Sequence, residues 1–121
     1  MLNKIHSRII SLDASLLDAM KLMDDVKAKT LFVSRDGHFE GIITLGDIQR
    51  AIINNKDIKD PVSRILDKDK IYGYQSEGEP VVKEKMRRMR AEVMPILDDK
   101  GELMDVWFWS WIVIWNDSFE M

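Results

Sequence analysis

Gly41-Ile42-Ile43-Thr44-Leu45-Gly46-Asp47 joins an apolar, β-branched run directly to a segment of helical periodicity. Ile42 and Ile43 suit a buried strand, and Ile48, Ala51 and Ile52 recur at the spacing of one helix face. Thr44 therefore stands where a strand ends and a helix begins, the place for an N-cap hydroxyl. The first amides of such a helix lack internal partners and lie at the positive end of its dipole, a geometry suited to phosphate. Thr44 adds a hydroxyl that can donate to a phosphate or ribose oxygen. Asp47 only accepts, so it suits ribose hydroxyls and repels a phosphate placed beside it. Gly41 lets a ligand or another backbone come close to the strand. The same spacing also reads as a capping box, with Thr44 and Asp47 merely fastening the helix start.

Working outward, the sequence places a short extended segment at Arg8-Ile9-Ile10. A helix capped by Asp13 follows, from about Ala14 to Val26, with Leu16, Met20 and Met23 inward. Leu31-Phe32-Val33 reads as a strand buried on both faces. Arg35-Asp36-Gly37-His38 is a turn into a returning strand, Phe39 to Ile43, and the helix capped by Thr44 runs to about Ile53.

The chain then repeats. Slid by 64 positions (Gly37 onto Gly101), Leu17 falls on Val81, Leu22 on Met86, Phe32 on Ile96, Val33 on Leu97 and Phe39 on Leu103. In the second copy Ile71-Tyr72-Gly73-Tyr74 enters as a strand, and Pro80 suits a helix start. That helix carries Val82, Met86 and Met89 inward, and Met94 to Leu97 with Leu103 to Phe108 form the hairpin. Polar residues Asn54 to Lys70, with Pro61 among them, link the copies. The fold expected is α/β (α+β): two pseudo-symmetric β-α-β-β-α units, 1–60 and 61–121, packed sheet to sheet because one unit alone buries little.

Composition bounds the function. The 121 residues are 45% hydrophobic and 32% charged, an ordinary globular balance. A net charge of −3 gives no general attraction to nucleic acid or an anionic membrane. With no cysteine, disulfides and thiolate metal sites are excluded, and a cytoplasmic location is expected. The N-terminus lacks the apolar stretch of a secretion signal. The longest apolar run, Val106 to Trp115 with Ser110 within it, is about half of the ~20 residues a membrane-spanning helix needs. Its four tryptophans read as a final strand and helix in a core or dimer interface; a membrane-interface anchor and an altered natural terminus are the alternatives. Lys83 to Arg90 reads as a solvated helix face, with phosphate or nucleic-acid attraction as its rival. His6 and His38 have no ligand pattern, and no nucleophile, base and orienting group share a recognisable spacing, so neither metal, required cofactor nor catalysis is expected.

Ser11 to Ile53 resembles a CBS (cystathionine-β-synthase-type) domain. The likeness rests on Asp13-Ala14-Ser15-Leu16-Leu17-Asp18-Ala19-Met20, on Thr30-Leu31-Phe32-Val33 and on the Gly41 to Asp47 stretch. Val93-Met94-Pro95-Ile96-Leu97-Asp98-Asp99-Lys100-Gly101 resembles the same family. The resemblance implies a tandem pair, often a homodimer, holding an adenosine derivative (AMP, ADP or ATP) in a cleft. It also implies that Thr44 and Asp47 contact phosphate and ribose, and that Ile10, Lys29, Thr30 and Leu31 line the adenine pocket. More narrowly, the chain looks like the regulatory pair preceding the catalytic domain of bacterial sugar-nucleotide nucleotidyltransferases of the mannose-1-phosphate guanylyltransferase type. The glycine-rich loop of that catalytic domain does not occur here. The second copy puts Asp105 at the place of Gly41, Phe108 at Thr44 and Trp111 at Asp47, so one nucleotide site per chain is expected. The resemblance thus implies a regulatory nucleotide-binding module, with a structural dimerisation module as the alternative.

Overall fold

In a computed structural model, which describes residues 5–66 and 72–109, Thr44 is the last residue of a strand and the N-cap of the helix after it. The chain divides into two compact units, Met1–Lys70 and Ile71–Met121.

The first unit runs β1 (Ile9–Ser11), α1 (Leu16–Val26), β2 (Thr30–Arg35), β3 (His38–Thr44) and α2 (Leu45–Ile53). Its sheet order is β1-β2-β3, with β1 parallel to β2 and β2 antiparallel to β3. Leu31, Phe32 and Val33 are all buried, as a strand covered on both faces requires. Leu31 and Val33 join Ile10, Leu16, Ala19, Met23, Ile43, Ile48 and Ala51 in one core, while Arg8 lays its guanidinium 5.4 Å from the Phe32 ring.

In the first unit three expectations are corrected. The N-cap of α1 is Ser15, not Asp13. Asp18 N–H donates to Ser15 Oγ at 3.0 Å and Ser15 N–H to Asp18 Oδ2 at 3.3 Å, a reciprocal box that Asp13 is not placed to make. Ile52 is exposed, because the inner stripe centres on Ile48 and Ala51 and the next residue turns about 100° away. The segment after α2 is also more than a connector, since much of it folds back onto the first unit. Leu16 and Leu17, at the start of α1, donate to the carbonyls of Asp60 and Ile58 at 3.0 and 2.9 Å. Val62 N–H donates to Ala14 C=O at 2.7 Å and Ser63 N–H to Leu12 C=O at 3.1 Å, and the Val62 side chain is fully buried in the core. Two helix-start amides that water would otherwise solvate are thereby satisfied by distant backbone.

The second unit runs β4 (Gly73–Tyr74), α3 (Glu79–Met89), β5 (Val93–Leu97) and β6 (Leu103–Phe108), again with the first pair parallel and the second antiparallel. Pro80 lies in the first turn of α3, and Val82 and Met86 face Met94 and Ile96. Met89, expected inward, is exposed: it is the last helical residue before Arg90 turns into the left-handed region at φ 53°. Ser110 to Met121, including most of the tryptophan-rich run, lie outside the described residues.

The repeat is real but its offset is not constant. Val33 pairs with Ile10 and Gly41, as Ile96 pairs with Gly73 and Asp105. Likewise Lys27 and Arg90, 63 apart, both end their helices with positive φ. Up to the hairpin, then, Val33 corresponds to Ile96 and Met23 to Met86; beyond it Gly41 still corresponds to Asp105. The hairpin tips explain the slip. The first is a two-residue turn with Asp36 and Gly37 both at positive φ. The second has Asp98 N–H bonded to Glu102 C=O around three residues ending in Gly101 at φ 82°.

Candidate functional site

Strand β3 delivers Thr44 to the edge of the first unit, opposite Thr30 on β2. Thr44 keeps an extended backbone (φ −113°, ψ 161°) as α2 begins. Its Oγ1 accepts from Asp47 N–H at 3.1 Å, and its own N–H donates to Asp47 Oδ2 at 2.9 Å. Both halves of a capping box are present, so these side chains fasten the helix start. Asp47 Oδ1 also accepts from Arg50, one turn on. Both side chains keep chemistry in hand. The Thr44 oxygen accepts, leaving its hydrogen to donate; the Asp47 carboxylate has about four acceptor positions, two of them used by these bonds. Of the first three amides of α2, Leu45's reaches Lys29 C=O at 2.9 Å and Asp47's reaches Thr44, and Gly46 supplies the third.

The remaining expected site residues fall into two groups. Lys29 and Thr30 meet the start of α2: Lys29 is exposed and its carbonyl holds Leu45, and Thr30 pairs across the sheet with Thr44. Ile10 and Leu31 have their side chains in the core, Leu31 completely. What crowds Gly41 is the chain itself, since a Cβ there would stand 3.1 Å from Leu66 Cδ1. Phe108, the counterpart of Thr44, pairs with Val93 on β5. Trp111, the counterpart of Asp47, lies outside the described residues.

Sequence reasoning missed two arginines. Arg8 donates through Nε and Nη2 to Thr30 C=O at 3.2 and 2.9 Å, fixing the end of β2; burial lowers its proton affinity. Arg50 neutralises Asp47, and its spacing of three residues on a helix was a readable sign of that pair. Among the described residues no cluster of His, Cys, Asp and Glu could hold a metal, and no helix is long and apolar enough to cross a membrane.

Residues 5–54 match the family model of the CBS domain. They contain the whole strand–helix junction and all the site residues named above. Solved structures carry the same fold over nearly the full chain. A crystal structure of the CBS domain NE2398 is 26% identical, covering 92% of this chain and 86% of its own, with a TM-score of 0.72. The CBS domain protein PAE2072 from Pyrobaculum aerophilum, complexed with AMP, is 19% identical over 84% of this chain and 79% of its own, TM-score 0.69. CBSX2 in complex with AMP is 16% identical over 93% of this chain and 89% of its own, TM-score 0.78. No curated protein matches the chain by sequence. The second unit repeats the CBS-like order β-α-β-β within the described residues, and the likeness to nucleotidyltransferase modules gains no support from these matches.

Proposed function

We propose that the chain is a non-catalytic regulatory module that binds one adenine nucleotide at the start of α2. The observation that carries this reading is the Thr44–Asp47 junction, which retains a donor hydroxyl and spare carboxylate acceptors after capping its helix. Asp47 takes the ribose hydroxyls, and Thr44 with Gly46 N–H takes the first phosphate. Lys29 and Thr30 flank the adenine, with Ile10 and Leu31 behind them. The complexes of PAE2072 and CBSX2 with AMP support the choice of ligand. The loss of the Thr44 equivalent in the second copy supports one site per chain. On the resemblance set out above, we further propose a cytoplasmic homodimer, with two motifs per chain, that regulates a nucleotidyltransferase-type catalytic domain. The alternative, a structural dimerisation module without nucleotide binding, has one observation on its side: the complete capping box already gives Thr44 and Asp47 a structural task.

Thermal unfolding separates the two. A ligand at about a hundred times its Kd adds about 2.7 kcal/mol, which is a rise of about ten degrees for a chain of this size. AMP, ADP or ATP should produce that rise. Asp47→Ala should abolish it, measured from the variant's own baseline, which falls by about 1 kcal/mol or less for the lost half of the capping box. No rise with any adenosine compound overturns the nucleotide reading.

A further inference from the structure

Asp47 faces more than the start of α2. It also borders a cavity of about 270 Å³ within the first unit, open to solvent and lined by Arg50, Ala51, Asn54, Lys56, Arg64 and Ile65. Three cationic side chains thus share one lining with a single carboxylate, in a chain whose net charge is −3. Arg50 already compensates Asp47, and Arg64 is only loosely matched by Asp60 at 4.0 Å. The lining therefore carries a surplus of two positive charges together with the Asn54 amide. From Asp47 to Asn54 the helix rises on the order of 10 Å, the reach of a chain of phosphates and not of one.

We infer that this cavity is a phosphate-chain site, which takes the β- and γ-phosphates of a nucleotide whose ribose is held at Asp47. The inference rests on the proposed nucleotide site and names which nucleotide that site prefers. Guanidinium groups bind phosphate oxygens in charge-assisted pairs, stronger than neutral hydrogen bonds. The Asp47–Arg50 pair removes the repulsion that a bare carboxylate would present to the chain's first phosphate. AMP reaches only the Asp47 edge of the cavity; the β- and γ-phosphates of ATP extend to Lys56 and Arg64.

Calorimetry on the full chain tests this with AMP, ATP and inorganic tripolyphosphate, using Lys56→Ala/Arg64→Ala as the variant. Both residues are exposed and outside the core cluster, so the fold should survive. The expected result is ATP binding roughly tenfold tighter than AMP, a preference that shrinks as salt is added. The double variant should bring ATP down to the affinity of AMP and leave AMP unchanged. Equal affinity for AMP and ATP in the native chain overturns the inference while the nucleotide site stands. A variant that weakens both nucleotides alike overturns it too. If tripolyphosphate binds through Lys56 and Arg64 while no adenosine compound binds, the cavity stands and the Thr44–Asp47 reading falls.

Discussion

Val62 lies nine residues beyond the end of α2, yet its side chain is fully buried among Ile10, Leu16, Ala19 and Ile43 of the first unit. Val62→Ala removes two methyl groups from that core. At about 0.8 kcal/mol per buried carbon the transfer loss is about 1.6 kcal/mol, and the cavity left behind raises it to about 2–3 kcal/mol. The backbone bond from residue 62 to Ala14 is untouched by the change, so the loss is one of packing alone. With a urea slope of about 2 kcal/mol per molar, the midpoint should fall by about 1–1.5 M. Far-UV circular dichroism follows both units. Tryptophan fluorescence reports only the second, because the four tryptophans begin at Trp107. Ser63→Ala, at an exposed neighbour, should change stability by less than about 0.5 kcal/mol. If Val62→Ala shifts the dichroism midpoint no more than Ser63→Ala does, the segment after α2 is not part of the first core.

Gly41→Ala should destabilise by about 1–3 kcal/mol, since the new Cβ meets Leu66 at 3.1 Å and the backbone stands at φ +155°. Leu66→Ala in the same chain should return part of that loss, a coupling that a double-mutant cycle in urea would measure. In the second unit, Glu77 is held below the usual carboxylate range, first by the Tyr74 N–H at 2.7 Å and then by Lys85 at 3.0 Å. Its folded value is thus depressed: the stability it adds is fully present above the ordinary glutamate value of about 4.3 and is lost as pH falls through the lowered one. Glu77→Gln should therefore flatten part of the acid limb of a stability-against-pH curve; an unchanged slope would count against the clamp.

Local patterns carried much of the fold. The buried run at Leu31 to Val33, the glycines of both hairpin tips and the box spacing from Thr44 to Asp47 all act over a few residues, and each was readable. The box at Ser15 and Asp18 was equally local, but Asp13 is as good a cap type and only the backbone path decides between them. The return of residues 58–66 onto α1 depends on bonds spanning more than forty residues, for which a polar, proline-containing segment holds no signal. The slip in the repeat was hidden because one extra turn residue changes the count without changing any apolar pattern. At the candidate site, Thr44 and Asp47 stood out by type and spacing. Lys56 and Arg64 did not, since they reach one cavity only after the segment beyond α2 has folded back.

That folded-back segment also fixes when the first unit can form. The opening amides of α1 find their acceptors at residues 58 and 60, and the core closes only with Val62. During synthesis a nascent chain released as far as Ile53 holds every described strand and α-helix of the unit, yet lacks the backbone that completes the earliest helix. The unit's contacts are complete only once the chain has passed α2 by about ten residues, and a fragment cut at residue 54 lacks the acceptors for Leu16 and Leu17 and the Val62 side chain of the core.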